Sequence, residues 1–337
     1  MLLGLGIVAY IFYRDDQFTA GTFKLALHAR PGPFLVALAV ILMRDLGYMY
    51  RIRTLTEKRL SWTRAFYVII LWEFASAVTP SVVGGTAIAV FILIMEGLSP
   101  GRSTAYVMLT AIMDNGFFIL FAPIVLIFAG MDVFPMVTIK EWDMNLETIF
   151  WVSYGLFALY LFLFLYALFI NPKGFKRLLL RITSGRATRK WRRGAYSFGK
   201  DMWQASHQLR GKQKRYWFKI IGSTVFVWFA RYLMLNSLIS SYVKIDWLDH
   251  LDIFGSQIIM WVIMVISPTP GSSGTAEYFF IEFFNKYLGD YTALTSVIWR
   301  MLSYYPYLVL GAIFLPKWVR QRMIANRRRL REIKSRN

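Results

Sequence analysis

Cysteine is absent from the chain, which excludes disulfides and thiol chemistry. Histidine occurs only as His28, His207 and His250, too widely separated for a structural zinc site. No GxxxxGK[ST], GxSxG, HExxH or paired-cysteine motif is present. Gly4-Leu5-Gly6 is too little for a nucleotide fingerprint. These absences remove the enzyme classes that carry compact signatures, and no metal or cofactor is expected. They leave open membrane-embedded transferases, which work with a few scattered carboxylates. Acidic residues are also scarce, 19 against 39 Lys and Arg, for a formal charge of +20.

Apolar residues, by contrast, are plentiful. They make up 57% of the chain and the mean hydropathy is +0.45, above the range of an ordinary soluble domain. The basic residues collect in 51–64, 171–219 and 317–337, which hold 29 of the 39. Interleaved aromatics in 171–219 (Trp191, Tyr196, Phe198, Trp203, Trp217) fit nucleic acid as well as lipid. Their position beside apolar segments favours anionic lipid headgroups and cytoplasmic loops, so no nucleic-acid partner is expected. A recruiting scaffold built on 171–219 is a further, weaker reading.

Taken in order, residues 1–13 read as a first span with a missing or very short beginning, and 34–50 as a second. Residues 64–96 are apolar for roughly 50 Å of helix where about 30 Å suffices, and Pro80 to Gly85 interrupts them. A hairpin that enters and leaves on one side fits that length. Spans follow at 103–129, 148–170 and 217–241, a second broken segment at 251–287, and a last span at 291–315. The tail 317–337 is polybasic.

The two interruptions echo each other. One reads Thr79-Pro80-Ser81-Val82-Val83-Gly84-Gly85-Thr86-Ala87, the other Ser267-Pro268-Thr269-Pro270-Gly271-Ser272-Ser273-Gly274-Thr275-Ala276-Glu277. Placing the basic segments inside and the acidic loops 131–147 and 243–252 outside gives the hairpins opposite entry sides. The expected fold is therefore an all-α polytopic membrane protein, a single membrane domain over 1–337. It has about six spans and two re-entrant hairpins in an inverted repeat, 34–129 against 217–315.

A helix that restarts inside a membrane points its first N–H groups into the break, a place suited to a phosphate. Glycines at 84, 85, 271 and 274 allow close approach, and Thr86, Ser272, Ser273 and Thr275 add hydroxyls. The alternative is that Pro and Gly only shape hairpin tips. Intramembrane charges form the second set of candidates. Arg300 shares a helical face with Ser296, Tyr304 and Tyr307, and Asp114, beside Asn115, follows Thr110 by one turn. Arg300 either holds a headgroup phosphate or pairs with Glu277 or Asp114, and these readings are compatible. Arg44, Asp45, Glu73 and Arg231 are weaker candidates, being near span ends.

TPSVVGG, and PTPGSSGTAE followed by a span with Arg300, resemble the lysylphosphatidylglycerol synthase transmembrane family. That family is also described as flippase-like and includes the membrane half of the multiple-peptide-resistance factor. The resemblance runs from the second span to the last, and PTPGSSGTAE is its more specific motif. It implies a bacterial or archaeal plasma-membrane protein that moves a lipid between leaflets. Pro270, Gly271, Gly274, Glu277 and Arg300 match the pattern, as do Pro80, Gly84 and Gly85. The soluble synthase domain of fused members is not expected, so neither is their aminoacyl transfer. The partners implied are an anionic or lipid-linked phosphate headgroup and membrane lipids, with a homo-oligomer left open.

Overall fold

A computed structural model describes residues 25–79, 81–135, 138–139, 144–185, 188–265 and 269–334. The expected span at 1–13 lies outside them, as do Pro80, Ser267 and Pro268. The described chain is helical apart from a two-residue ladder, Thr138–Ile139 against Met144–Asn145. Five stretches among the described residues are long and apolar enough to cross a membrane. They are Pro31–Leu55, Pro100–Val133, Leu146–Ile170, Lys214–Tyr242 and a run of helices over Thr275–Ile324.

Local chemistry sets the boundaries. Helix α1 (Pro31–Leu55) starts on a proline at its first turn, where the missing N–H costs nothing. Helix α2 (Trp62–Val78) is capped by Ser61, which accepts from the Arg64 N–H. Helix α3 (Ser81–Met95) follows, then α4 (Pro100–Ala129), which ends at Gly130 with φ +66°. Helix α5 (Leu146–Leu165) runs on as a π turn to Ile170 and gives way to two shorter helices, α6 (Pro172–Ile182) and α7 (Arg192–Leu209). Helix α8 (Lys214–Tyr242) leads to α9 (Trp247–Met264), whose start is a reciprocal Asp246–Asp249 capping box. The chain closes with α10 (Thr275–Leu288), α11 (Thr292–Ser303) and α12 (Tyr305–Lys334).

Two details differ from the sequence reading. The first interruption is shorter than Pro80 to Gly85, because the helix resumes at Ser81 and holds both glycines. A Cβ at Gly85 would stand 2.4 Å from the Ser76 Oγ, so this glycine lets α3 pack against α2. The expected span 291–315 is broken at Tyr304, and the helix beyond it continues to Lys334 through the basic tail. The segment 171–219, expected as a basic loop with interfacial helices, is mostly helical, with α6 strongly amphipathic.

Helices α1 and α8 lie antiparallel along their lengths. Arg30, just before α1, donates to the Ser240 and Val243 carbonyls at the end of α8, and Tyr216 near the start of α8 reaches the Leu55 carbonyl. Between these ends Gly47 sits against Val227, too close for any side chain. The ends of α2 and α3 meet where Arg64 faces Glu96, close to where α1 ends. The ends of α9 and α10 meet where Asp252 accepts from the Tyr287 hydroxyl and faces Lys286. Packing partners also repeat: α1 with α2 as α8 with α9, α3 with α4 as α10 with α11, and α2 with α12 as α9 with α4.

Burial divides into two apolar clusters. One centres on Phe118, Phe150, Ile253 and Phe284, the other on Leu55, Leu71, Leu93 and Trp318. Large apolar side chains also cover the outside: Leu42, Leu120, Phe128, Phe162 and Ile313 are all exposed. Such a surface is stable against lipid and not against water.

Candidate functional site

The break between α9 and α10 is built from backbone that few residues tolerate. Gly271, Ser272 and Gly274 have φ of +58°, +53° and +85°, the left-handed region in which a Cβ costs about 1–2 kcal/mol. At Gly271 a Cβ would also collide with the Tyr304 ring at 2.4 Å. Pro270 lies in the same single 3₁₀ turn.

Arg300 holds this turn. Its Nε donates to Glu277 Oε1 at 2.6 Å, and Nη2 donates to the carbonyls of Gly271 (3.1 Å) and Ser272 (3.3 Å). Glu277 Oε2 in turn accepts the N–H of Gly274, the N-cap of α10, at 2.7 Å. The carboxylate of Glu277 thus occupies the anion position at this helix start. Both side chains are largely buried, which strengthens the pair and makes the loss of either partner costly.

Tyr304, at the kink between α11 and α12, joins this turn to the first interruption. Its hydroxyl donates to the Ala77 carbonyl at 3.1 Å and receives Ser273 Oγ at 3.5 Å. Ala77 is one residue from the end of α2, where Thr79 caps back onto the Ala75 carbonyl. The 3₁₀ turn and the end of α2 are in contact. The two sequence echoes therefore meet in space.

Asp114 pairs with Arg51, not with Arg300. Arg51 grips both carboxylate oxygens, with Nη2 to Oδ2 at 3.1 Å, and the Trp228 indole N–H donates to Oδ1 at 2.9 Å. Arg44 is fully buried, donates to Asp45 at 2.7 Å and to the Tyr307 hydroxyl, and Tyr307 donates to Asp45.

Asp114, Trp228, Arg300, Tyr304 and Tyr307 border a cavity of about 360 Å³. Thr79, Thr86, Asp114, Asn115, Gly271, Ser272, Arg300 and Tyr304 all line it. Most of the sequence candidates are thereby collected in one place. Gly84 and Gly85 stay inside α3, while Ser273, Gly274 and Glu277 lie behind the lining. A smaller cavity of about 100 Å³ shares Tyr48, Trp72, Glu73, Ser76, Thr110 and Asp114 with it and extends towards Leu55. Sequence reasoning missed the aromatic wall, Trp72, Trp228, Trp261 and Trp299. It also ranked Glu73 and Arg231 low, although both line the cavity. Their helical position within apolar segments was the available signal.

A multi-pass helical membrane protein with a charged internal cavity is the class these features define. The chain belongs to the family described as the lysylphosphatidylglycerol synthase TM region, whose model matches residues 1–311. It is also similar to a UPF0104 membrane protein from Archaeoglobus fulgidus, 22% identical over 326 residues, covering 93% of this chain and 94% of the relative. No solved structure matches it.

Proposed function

We propose that the protein moves a lipid between the leaflets of the plasma membrane, holding its phosphate-bearing headgroup in the central cavity. The observation that carries this reading is the cavity itself. A largely apolar, aromatic-walled space of about 360 Å³ into which Glu73, Asp114, Arg231 and Arg300 bring charge lies where two helix interruptions meet, inside a molecule with an apolar outer surface. Irregular backbone within a membrane is tolerated where it is buried in protein or lines such a space. The cavity is within the size range of small-ligand sites, roughly 300–1,000 Å³.

The hairpins α2–α3 and α9–α10 are read here as re-entrant elements of an inverted repeat. Three features support this. The leading helices α1 and α8 are antiparallel, the packing partners repeat, and each hairpin has its two ends together. Helices of 17 and 15 residues reach about 25 and 22 Å, short of the roughly 30 Å of hydrocarbon. The basic ends, with α6, α7 and the tail, are assigned to the cytoplasm by charge.

In this reading Arg300 and Glu277 shape the break, and the headgroup meets the cavity face of Ser272, Thr79, Thr86, Asn115 and Tyr304. The test is leaflet exchange of fluorescent phospholipids in proteoliposomes, read by dithionite quenching. Exchange above that of protein-free vesicles is expected; equality with them would sink the proposal. The competing reading is a membrane-embedded transferase acting on lipid-linked sugars. It predicts a lipid of changed mass after incubation with donors, which mass spectrometry would detect.

A further inference from the structure

Three arginines around the cavity have carboxylate partners: Arg44 has Asp45, Arg51 has Asp114 and Arg300 has Glu277. Arg231 does not. It lines the cavity from α8, makes no ion pair or hydrogen bond with any described residue, and its Nε is buried without a partner. Two indoles hold it instead, with ring centres 5.3 Å (Trp228) and 5.0 Å (Trp261) from the guanidinium carbon. Such contacts supply no counter-charge and no conventional hydrogen bond, so the guanidinium N–H groups are left for a planar or tetrahedral anion. Trp228 is itself fixed by its bond to Asp114.

Glu73, on α2, is the opposite case. It lines both the cavity and its extension, and makes no ion pair or hydrogen bond with any described residue. Arg231 and Glu73 do not pair with each other either. Unlike charges in a low-dielectric space attract strongly, so a wall that keeps them apart leaves each to meet something else. With the other charges of the wall paired, Arg231 and Glu73 are its one cation and one anion that have no ion pair or hydrogen bond among the described residues, and Glu73 lies close enough to Arg44 and Arg51 to interact with both through space.

We infer that Arg231 and Glu73 are the two poles of a site for a dipolar headgroup, with a phosphate on Arg231 and an ammonium-type cation on Glu73. This rests on the lipid reading above and narrows it to headgroups carrying both charges. A headgroup with a negative charge and no compensating cation would leave Glu73 unpaired and is disfavoured. Arg300 is then a positioning residue, which shapes the break without touching the ligand.

The experiment is a titration of the purified full-length protein in detergent, followed by tryptophan fluorescence. The probes are dihexanoyl phosphatidylethanolamine, dihexanoyl phosphatidylglycerol and free phosphoethanolamine. The ethanolamine lipid is expected to bind about tenfold more tightly than the glycerol lipid, the effect of one charged hydrogen bond. Glu73→Gln should erase that preference, and Arg231→Gln should weaken both lipids about tenfold, with partial recovery in Arg231→Lys. Should Glu73→Gln fail to fold, Glu73→Asp keeps the charge, shortens the reach, and should weaken the ethanolamine lipid alone. Equal binding of the two lipids by the wild type, or a preference that survives in Glu73→Gln, would overturn the dipolar site. Free phosphoethanolamine binding as tightly as the lipid would keep the two poles and overturn the lipid reading. No binding of any probe would overturn both.

Discussion

Arg300 Nε lies 2.6 Å from Glu277 Oε1, and the other oxygen of that carboxylate takes the Gly274 N–H at 2.7 Å. One ion pair thus fixes the N-terminus of α10, and through the Gly271 and Ser272 carbonyls it also fixes the turn before it. The helix start, which by itself is suited to an external anion, is filled by a residue of its own first turn.

Arg300→Ala should cost about 3–5 kcal/mol, because it leaves Glu277 buried without a counter-charge. Glu277→Gln should cost less, since the amide oxygen still accepts from Gly274. Thermal unfolding in detergent checks both. A loss for Arg300→Ala below that for Glu277→Gln would contradict this order.

Glycine substitutions report the tight approaches. Gly271→Ala meets the Tyr304 ring and an unfavourable φ, so it should destabilise by about 2–4 kcal/mol. Gly311→Ala has no unfavourable φ and meets only Phe74, with the added Cβ 2.2 Å from its Cγ and 2.4 Å from its Cβ. The Phe74→Ala change, which removes Cγ and the ring, should therefore rescue Gly311→Ala in part, and Tyr304→Phe should not rescue Gly271→Ala. Melting temperatures of the single and double variants decide this.

Tyr304→Phe removes the hydroxyl that links Ser273, just after the 3₁₀ turn, to the Ala77 carbonyl at the end of α2, while keeping the ring. The expected loss is about 1 kcal/mol, with a wider distance distribution between spin labels at positions 87 and 278. The chain has no native cysteine, so such labels need no background removal. Unchanged distances would mean that the tyrosine does not couple the two segments.

At the basic end, a hydrogen bond from Lys212 holds the Glu57 carboxyl below its ordinary value. A depressed carboxylate stabilises the fold above its unfolded pKa, about 4.3, and the benefit is lost as pH falls through the lower folded value. Wild type and Lys212→Met should differ in melting temperature at neutral pH and converge below about pH 4. Glu57 is about half exposed, so the difference should be small and shrink with salt.

Much of this was legible in the chain. The helix interruptions announce themselves by Pro and Gly in apolar runs. The pairing of Arg300 with Glu277 was one of two stated options, and their place 23 residues apart on consecutive helices joined by a short turn made it reachable. The partner of Asp114 was not, because Arg51 is 63 residues away and only the packing of α1 and α4 against the same helix, α8, brings it near. Gly85 misled for another reason: two adjacent glycines look like a turn, yet here both lie within a helix and Gly85 thins its face for Ser76. Glu73 and Arg231 were discounted as able to reach a membrane surface. The tertiary fold turns both inward, and nothing in local sequence encodes that direction.

The central claim is that the cavity between the two interruptions carries the headgroup. Ala111 lines it and takes part in none of the ion pairs described above, so Ala111→Trp would fill the space and leave the charges in place. The direct measurement is leaflet exchange of a fluorescent phospholipid in proteoliposomes containing wild type or Ala111→Trp, each shown to be folded by its melting temperature. Exchange by the wild type that falls to the protein-free rate in Ala111→Trp is the predicted result. Exchange at the wild-type rate with the cavity filled would contradict it.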